Sequence, residues 1–259
     1  MALFMKKTLL AAFVMAATAF SSFAQDDLFG SDKMKPRKGF VLGVNGNFDI
    51  PGGDMADRFG LSYRIGGAVL YKTTSNWMFG PKVDFILGNK IEDDSLMANM
   101  LDNGYTLINQ DGQRMKVQVY ERGYLAGVQV GKIFNTSKRN SDIGILVMTG
   151  VGFIQHKINL YDKDKSIPQL RGDYRKGYDR LTNGMYVEQY VGYNFFDNGG
   201  ALNFHIGLNI MAGFTQGRRD YQYDLMRADN ASRVDLLFGI KGGWYIPIFK
   251  RKSEEFYFE

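Results

Sequence analysis

Six ionisable residues of both signs lie at polar positions of segments in which apolar and polar residues alternate. They are Arg64, Lys82, Asp84, Glu121, Glu188 and Lys241. If those segments are strands of one small barrel, the six side chains point into its interior, where charges are tolerated when they are paired and hydrogen-bonded. The interior of an eight-stranded barrel is just wide enough for its own side chains. We therefore expect a lumen closed by ion pairs, with a small conducting pore as the alternative.

Groups that could catalyse a reaction or bind a metal are sparse. The two histidines, His156 and His205, lack a metal-ligand spacing such as H-E-x-x-H, and each is better explained as a hydrogen-bonded interior or rim residue. No serine, histidine and carboxylate occur at a recognisable catalytic spacing. The sequence has no cysteine, which excludes disulfides, thiol catalysis and thiolate metal sites. We predict no catalytic residue, no metal site and no cofactor.

Tyrosine and arginine are interleaved with aspartate in two long polar stretches. The residues of interest are Arg171, Tyr174, Tyr178, Arg180, Arg218, Arg219, Tyr221, Tyr223 and Arg227. Such side chains form bidentate ion pairs and cation–π contacts, and tyrosine and arginine are enriched at the energetic centres of protein interfaces. Two compatible roles follow. The stretches pair with each other over the mouth of the barrel, or they bind another protein.

The elements that would position these residues are eight segments with apolar residues at every second position, a period typical of β-strands. They are 40–49, 61–72, 77–89, 117–134, 143–158, 185–196, 201–213 and 234–249. Arg122 and Leu146 break the alternation. Segments of about nine to eleven residues or more can cross an outer membrane when tilted. The sequence therefore predicts an all-β protein, an eight-stranded antiparallel transmembrane β-barrel over residues 39–249.

The lengths of the connections give an independent indication of the topology. Short connections rich in turn-forming residues (74–76, 135–142 and 197–200) alternate with long ones (50–60, 90–116, 159–182 and 214–233). Outer-membrane barrels have short periplasmic turns and longer external loops. A periplasmic N-terminus would place every short connection in the periplasm and every long one outside.

Alternation alone does not show which face points outward, because a soluble lipocalin-like barrel would turn its apolar face inward. The polar face is mainly glycine, alanine and asparagine with a few charges, which is typical of a narrow lumen and not of a solvated surface. Aromatic residues lie near the predicted strand ends, where membrane interfaces favour them. They are Trp77, Phe79, Tyr193, Phe195 and Trp244. These features favour outer-membrane lipid as the surroundings of the barrel.

The first 24 residues have the pattern of a cleaved signal peptide. Lys6 and Lys7 precede an apolar run from Thr8 to Phe20, and Ser22-Phe23-Ala24 provides the small residues of a cleavage site. We expect residues 25–38 to form a polar leader and 250–259 a periplasmic tail. The net charge of +5 includes Lys6 and Lys7, so the mature chain is only mildly basic and no nucleic-acid partner is expected.

The glutamine after the cleavage site and the glycine-rich strands, such as Phe40-Val-Leu-Gly-Val-Asn-Gly-Asn47 and Tyr63-Arg-Ile-Gly-Gly67, resemble outer-membrane β-barrel proteins of the Bacteroidota, broadly of the PorT-like type. The resemblance covers most of the mature chain and implies an outer-membrane location. That family includes barrels linked to type IX secretion and gliding. The resemblance therefore implies a structural or docking component of the envelope, for example of a secretion apparatus. A small porin is the alternative, and an envelope enzyme is the least favoured class. No functional residue carries over from the family.

Overall fold

A closed ring of eight antiparallel strands is the main feature of the computed structural model, which describes residues 34–101, 106–162, 166–197 and 202–249. The strands of the ring are β1 Gly39–Gly53, β2 Ser62–Lys72, β3 Trp77–Gly88, β6 Gln118–Asn135, β7 Gly144–Tyr161, β8 Thr182–Phe196, β9 Asn203–Gly217 and β10 Ser232–Phe249, with β4 and β5 in a connection described below. Their order around the ring is β1-β10-β9-β8-β7-β6-β3-β2, and pairing of β1 with both β2 and β10 closes it. The predicted all-β, eight-stranded antiparallel barrel is confirmed.

Short and long connections alternate, as the sequence predicts. The short ones, 73–76, 136–143 and 197–202, lie at what we call the turn end; at the loop end are loop 1 (54–61), loop 2 (89–117), loop 3 (162–181) and loop 4 (218–231). Several predicted strands are too short at the loop end: β1 continues to Gly53, β7 to Tyr161 and β9 to Gly217, and β8 begins at Thr182. For β8 and β9 the reason is that Thr182 pairs with Gly217, so the hairpin continues past its apolar section into polar sequence.

Loops 2 and 3 contain short elements that the alternation does not predict. In loop 2, β4 (Leu107–Ile108) pairs with β5 (Arg114–Met115) outside the barrel wall. Loop 3 contains two short 3-10 helices, Pro168–Leu170 and Tyr174–Gly177. None of the helices in the described ranges is long and apolar enough to cross a membrane.

The outer face of the barrel carries the apolar residues. Along β1, exposed and buried positions alternate, and the exposed ones include Phe40, Leu42, Val44 and Phe48, with Phe48 63% exposed. The aromatic residues Trp77, Phe79, Tyr193 and Trp244 are exposed near the turn end. A soluble barrel would enclose these side chains, so the lipocalin-like arrangement is wrong for this chain.

The interior is layered and more apolar than the sequence analysis predicts. Toward the turn end, a buried apolar cluster includes Leu70, Leu146 and Tyr245. A second cluster toward the loop end includes Leu125 and Phe59, the latter contributed by loop 1. Leu146, which breaks the predicted alternation, is an inward residue of the first cluster. Glycine, alanine and asparagine alone would leave the lumen unfilled, and these large side chains fill it.

Residues just before β1 cross the turn end of the barrel. Met34 forms a bridge with Asn140, and the Arg37 side chain donates to the Asp142 carboxylate at 2.8 Å. Lys72 Nζ binds the other oxygen of Asp142 at 2.7 Å. The remainder of the predicted leader, the signal peptide (1–24) and the tail (250–259) lie outside the described residues, so those assignments stay predictions.

Candidate functional site

Glu188 lies at the centre of a network of buried charges in the middle of the lumen. Its carboxylate accepts from Arg64 at 3.0 Å and from Lys82, and Lys241 Nζ lies 4.0 Å from Oε1. Arg64 also donates to both oxygens of Asp49, at 2.6 and 2.9 Å. Lys82 Nζ lies 2.7 Å from Asp84. We call these six side chains the Glu188 network. Its three cations and three carboxylates balance in charge.

The Glu188 network spans the lumen because its members come from strands on different sides of the ring. Asp49 comes from β1, Arg64 from β2, Lys82 and Asp84 from β3, Glu188 from β8 and Lys241 from β10. All six side chains are at most 5% exposed. The ion pairs therefore bridge the barrel internally.

The structure brings together five of the six charged residues that the sequence singles out, and it separates Glu121 from them. Glu121 accepts from the Ser62 hydroxyl and lies next to Gly88 in the β3–β6 pairing, whereas Asp84 lies next to Leu125. Four residues along a strand correspond to about 13 Å. Glu121 therefore lies too close to the loop end to join the Glu188 network. The alternation places Asp49 on the polar face of β1. It does not show how deep in the barrel Asp49 lies, so the sequence alone could not assign Asp49 to the Glu188 network.

A second polar cluster, centred on Asp235, was not predicted. The Asp235 carboxylate binds Arg58 at 2.7 Å, His156 Nε2 at 2.9 Å and the Thr215 hydroxyl at 2.6 Å. Because Thr215 donates to the carboxylate and not to the imidazole, the cluster lacks the hydroxyl–histidine hydrogen bond of a catalytic triad. Arg58 comes from loop 1, and no periodic signal in the sequence indicates that it folds into the lumen.

The two histidines occupy interior positions, as the sequence analysis expects. His156 is fully buried beside Asp235, and His205 lies 2.9 Å from both the Tyr190 hydroxyl and Asn45 Oδ1. Within the described ranges, no group of three or more histidine, aspartate or glutamate side chains is arranged to hold a metal ion.

Loops 2, 3 and 4 are joined over the mouth of the barrel by Arg180. From loop 3 its guanidinium donates to Asp93 of loop 2 and to Asp224 of loop 4, each at 3.0 Å. Burial raises the pKa of Asp224 above its ordinary value. A second pair joins Arg219 of loop 4 to Asp179 of loop 3, and the Asp179 carboxylate raises the pKa of Arg219. We call this assembly of the three loops the loop cap.

A cluster of tyrosines lies on the loop cap. The Tyr223 ring has Tyr178, Tyr221 and Tyr174 around it, at centroid distances of 5.5, 5.7 and 6.2 Å. Tyr178 is buried, whereas Tyr174 is 64% and Tyr221 43% exposed. The backbone N–H of Tyr223 donates to the Gly177 carbonyl at 3.0 Å, which connects the two loops.

The predicted partner-binding residues thus divide into two groups. Tyr178 and Arg180 are buried in the loop cap, because aromatic packing and two carboxylates hold them, and they offer no free surface to a partner. Tyr174 and Tyr221 remain exposed, as do Arg171, Arg218 and Arg227, while Arg219 and Tyr223 are half-buried. Of the two roles predicted for these stretches, pairing over the mouth is the one these contacts show.

Comparisons with known proteins give weak similarities only. No family model and no curated protein matches the sequence. Among solved structures, Neisserial surface protein A aligns at a TM-score of 0.44 and 8% identity, over 81% of this chain and 97% of that one. Ail of Yersinia pestis, in complex with the heparin analogue sucrose octasulfate, aligns at a TM-score of 0.40 and 6% identity, over 81% and 99%. OprG from Pseudomonas aeruginosa aligns at 0.37 and 9%, over 83% and 99%. TM-scores and identities this low say nothing about the function of this chain.

Replacing Glu188 tests the Glu188 network. Glu188→Gln leaves Arg64, Lys82 and Lys241 facing only two carboxylates, and a buried charge without its partner costs about 3–5 kcal/mol. We expect a correspondingly lower free energy of unfolding in urea, followed by the fluorescence of Trp77 and Trp244 in detergent micelles. Glu121→Gln, which keeps a hydrogen-bond acceptor for Ser62, is the control and should lose about 1 kcal/mol or less. Equal losses in the two variants would contradict the network's role.

Replacing Arg180 tests the loop cap. Arg180→Met removes both ion pairs to Asp93 and Asp224, so the loops open more often. A loss of one to two kcal/mol corresponds to roughly 5–30-fold faster chymotryptic cleavage at the exposed Tyr174 and Tyr221. Arg171→Met, at an exposed position of loop 3, is the matched control and should be cleaved at the unchanged rate. Identical rates for the two variants would show that Arg180 does not hold the loops.

Proposed function

We propose that this protein is an outer-membrane β-barrel that acts as a structural or docking component of the envelope. The observation that carries the proposal is the combination of an apolar outer wall, a lumen bridged by ion pairs and a loop cap fixed by internal contacts. Outer-membrane barrels present an apolar band to lipid and polar residues to the lumen, which is the distribution found here. The signal peptide predicted at residues 1–24 is consistent with export to that location.

The filled lumen favours docking over transport. The Glu188 network bridges the middle of the barrel, and buried apolar clusters lie on either side of it. Phe59 and Met55 of loop 1 are buried in the apolar cluster toward the loop end, and the Arg58 guanidinium binds the Asp235 carboxylate. An ion crossing the barrel would have to displace each of these layers. The small pore therefore ranks as the second candidate.

The exposed part of the loop cap is the surface that we assign to a partner. It consists of Tyr174, Tyr221 and Met226, the last 71% exposed, with the exposed cations Arg171 and Arg227. We call it the Tyr–Arg patch. Because Arg180 and Tyr223 fix the loops beneath it, binding would immobilise few additional groups, which favours affinity. Its aromatic and cationic character suits an acidic surface of another envelope protein.

The resemblance to PorT-like barrels of the Bacteroidota suggests where such a partner would belong. That part of the proposal rests on the resemblance alone and names a component of a secretion apparatus. We assign no catalytic role to the chain, since the two hydroxyls that donate to lumen carboxylates, Ser62 to Glu121 and Thr215 to Asp235, are buried inside the barrel.

Conductance distinguishes docking from transport. The purified full-length protein in planar bilayers should show no stable single-channel current, because the Glu188 network and the loop cap block the lumen. The Glu188→Gln variant provides a comparison in which the central ion pairs are weakened. A reproducible open state of the unmodified protein would replace the docking proposal with a pore.

Crosslinking mass spectrometry tests the Tyr–Arg patch. In native envelopes at native abundance, we expect crosslinks from Lys176 of loop 3 to one other envelope protein. The combined variant Tyr174→Ser and Tyr221→Ser should reduce its recovery about tenfold or more, since aromatic interface centres contribute 2 kcal/mol or more. Tyr161→Ser, an exposed tyrosine outside the patch, is the control. Recovery of the barrel alone would count against the proposal.

A further inference from the structure

Two polar side chains lie in the middle of the lipid-facing wall. On β7 the outward residues from Ile145 to Phe153 are apolar except for Thr149, and on β8 those from Met185 to Phe195 are apolar except for Gln189 and the interfacial Tyr193. Among the described strands, these are the only outward polar side chains without a ring in the central part of the apolar band. Contact with lipid hydrocarbon does not explain polar side chains at these two positions.

Thr149 and Gln189 are direct neighbours in the β7–β8 pairing. The Thr149 hydroxyl donates to Gln189 Oε1 at 2.7 Å, and Gln189 Nε2 donates to the Tyr190 carbonyl at 3.3 Å. Both residues are exposed on the outer wall. These two hydrogen bonds leave one amide hydrogen of Gln189 and acceptor positions on both side chains unused. Hydrocarbon cannot satisfy them, and polar groups without partners are costly there.

The wall around the pair is unusually flat. Five exposed residues on β6, β7 and β8 close to the pair are valines (Val128, Val130, Val151, Val187 and Val191), and larger exposed side chains such as Met185 and Phe134 lie farther along the strands. On the opposite side of the ring, β1 and β2 expose larger and more varied side chains, including Phe40, Phe48 and Ile65. Flat β-branched surfaces pack closely against a second sheet.

We propose that this surface, which we call the Thr–Gln patch, is the membrane-embedded contact between two copies of the chain. The inference rests on the outer-membrane location proposed above, but not on the docking role of the loops. A glutamine amide carries both a donor and an acceptor, so two copies related by a two-fold axis beside Gln189 can satisfy each other reciprocally. Such self-complementarity is the requirement of a symmetric dimer.

The chemistry of the patch favours a second copy over a different partner. Thr149, Gln189 and the surrounding valines carry no charge, and Lys132 at the margin of the patch lies over the Trp77 ring, 5.3 Å from its centroid, so the patch offers little to a membrane segment that carries a charge. The Gln189 amide can donate to and accept from an identical amide. The valines of one copy would pack against the same valines of the other. A second copy placed with the same orientation in the membrane brings equal depths together, which sets Gln189 beside Gln189 and places the two Val187 residues at the same depth on either side of the axis.

The absence of cysteine from the sequence makes a direct test possible. Val187→Cys places one thiol in the patch, and Val44→Cys places one on β1, on the opposite side of the ring, in the same apolar band. Packed sheets lie about 10 Å apart, too far for a disulfide, so a short membrane-permeant bismaleimide is the probe. With the full chain in intact outer membranes, we expect dimer from Val187→Cys at least fivefold above that from Val44→Cys.

A second variant separates polar recognition from chance proximity. Adding Thr149→Val and Gln189→Leu to Val187→Cys leaves the wall apolar, so the barrel should fold, and the dimer should fall at least fivefold. Equal crosslinking of Val187→Cys and Val44→Cys, persistence of the dimer in the triple variant, or products with another protein only would each overturn the inference.

The same gel shows which proposal has failed. A heat-shifted, folded band in the outer-membrane fraction without a dimer overturns the Thr–Gln contact and leaves the location intact. If no such band is found in that fraction, the membrane location fails and the dimer inference fails with it.

Discussion

Closure of the ring by pairing of β1 with β10 is the constraint on which the rest of the structure depends. A closed barrel leaves no strand edge unpaired, so the backbone is satisfied within the wall and the outer face can be wholly apolar. Closure also fixes the size of the interior. Eight strands enclose a space that their own side chains can fill, so the inward side chains pack against one another.

The interior is filled in layers. Apolar clusters containing Leu146 and Leu125 lie toward the two ends, and the Glu188 network lies between them with its charges balanced. Buried ion pairs of this kind are weak evidence of stability, but losing one partner is costly. The network therefore fixes the arrangement of strands that are distant in the ring. Above it, loop 1 carries Arg58 into the lumen and loops 2, 3 and 4 form the cap around Arg180.

The surfaces that internal packing does not use are then available for function. Above the wall, the Tyr–Arg patch is exposed because the residues beneath it are already engaged with one another. On the wall, the Thr–Gln patch differs from its surroundings because the outward residues beside it on β6, β7, β8 and β9, such as Val130, Val187 and Ile210, are apolar. One patch faces water and the other faces lipid, so partner docking and self-association do not compete for the same residues.

The sequence by itself determined the class of fold, the number of strands and the side of the wall on which most residues lie, because a period of two assigns each residue of a strand to one face. It also indicated that charges of both signs share the interior. Only the tertiary structure decided which charges meet. Strand register and closure set the depth of each side chain, so Asp49 joins Glu188 while Glu121 does not. Arg58, Tyr178 and Arg180 depend on how loops fold back on the barrel, and loops have no periodicity from which such contacts can be predicted.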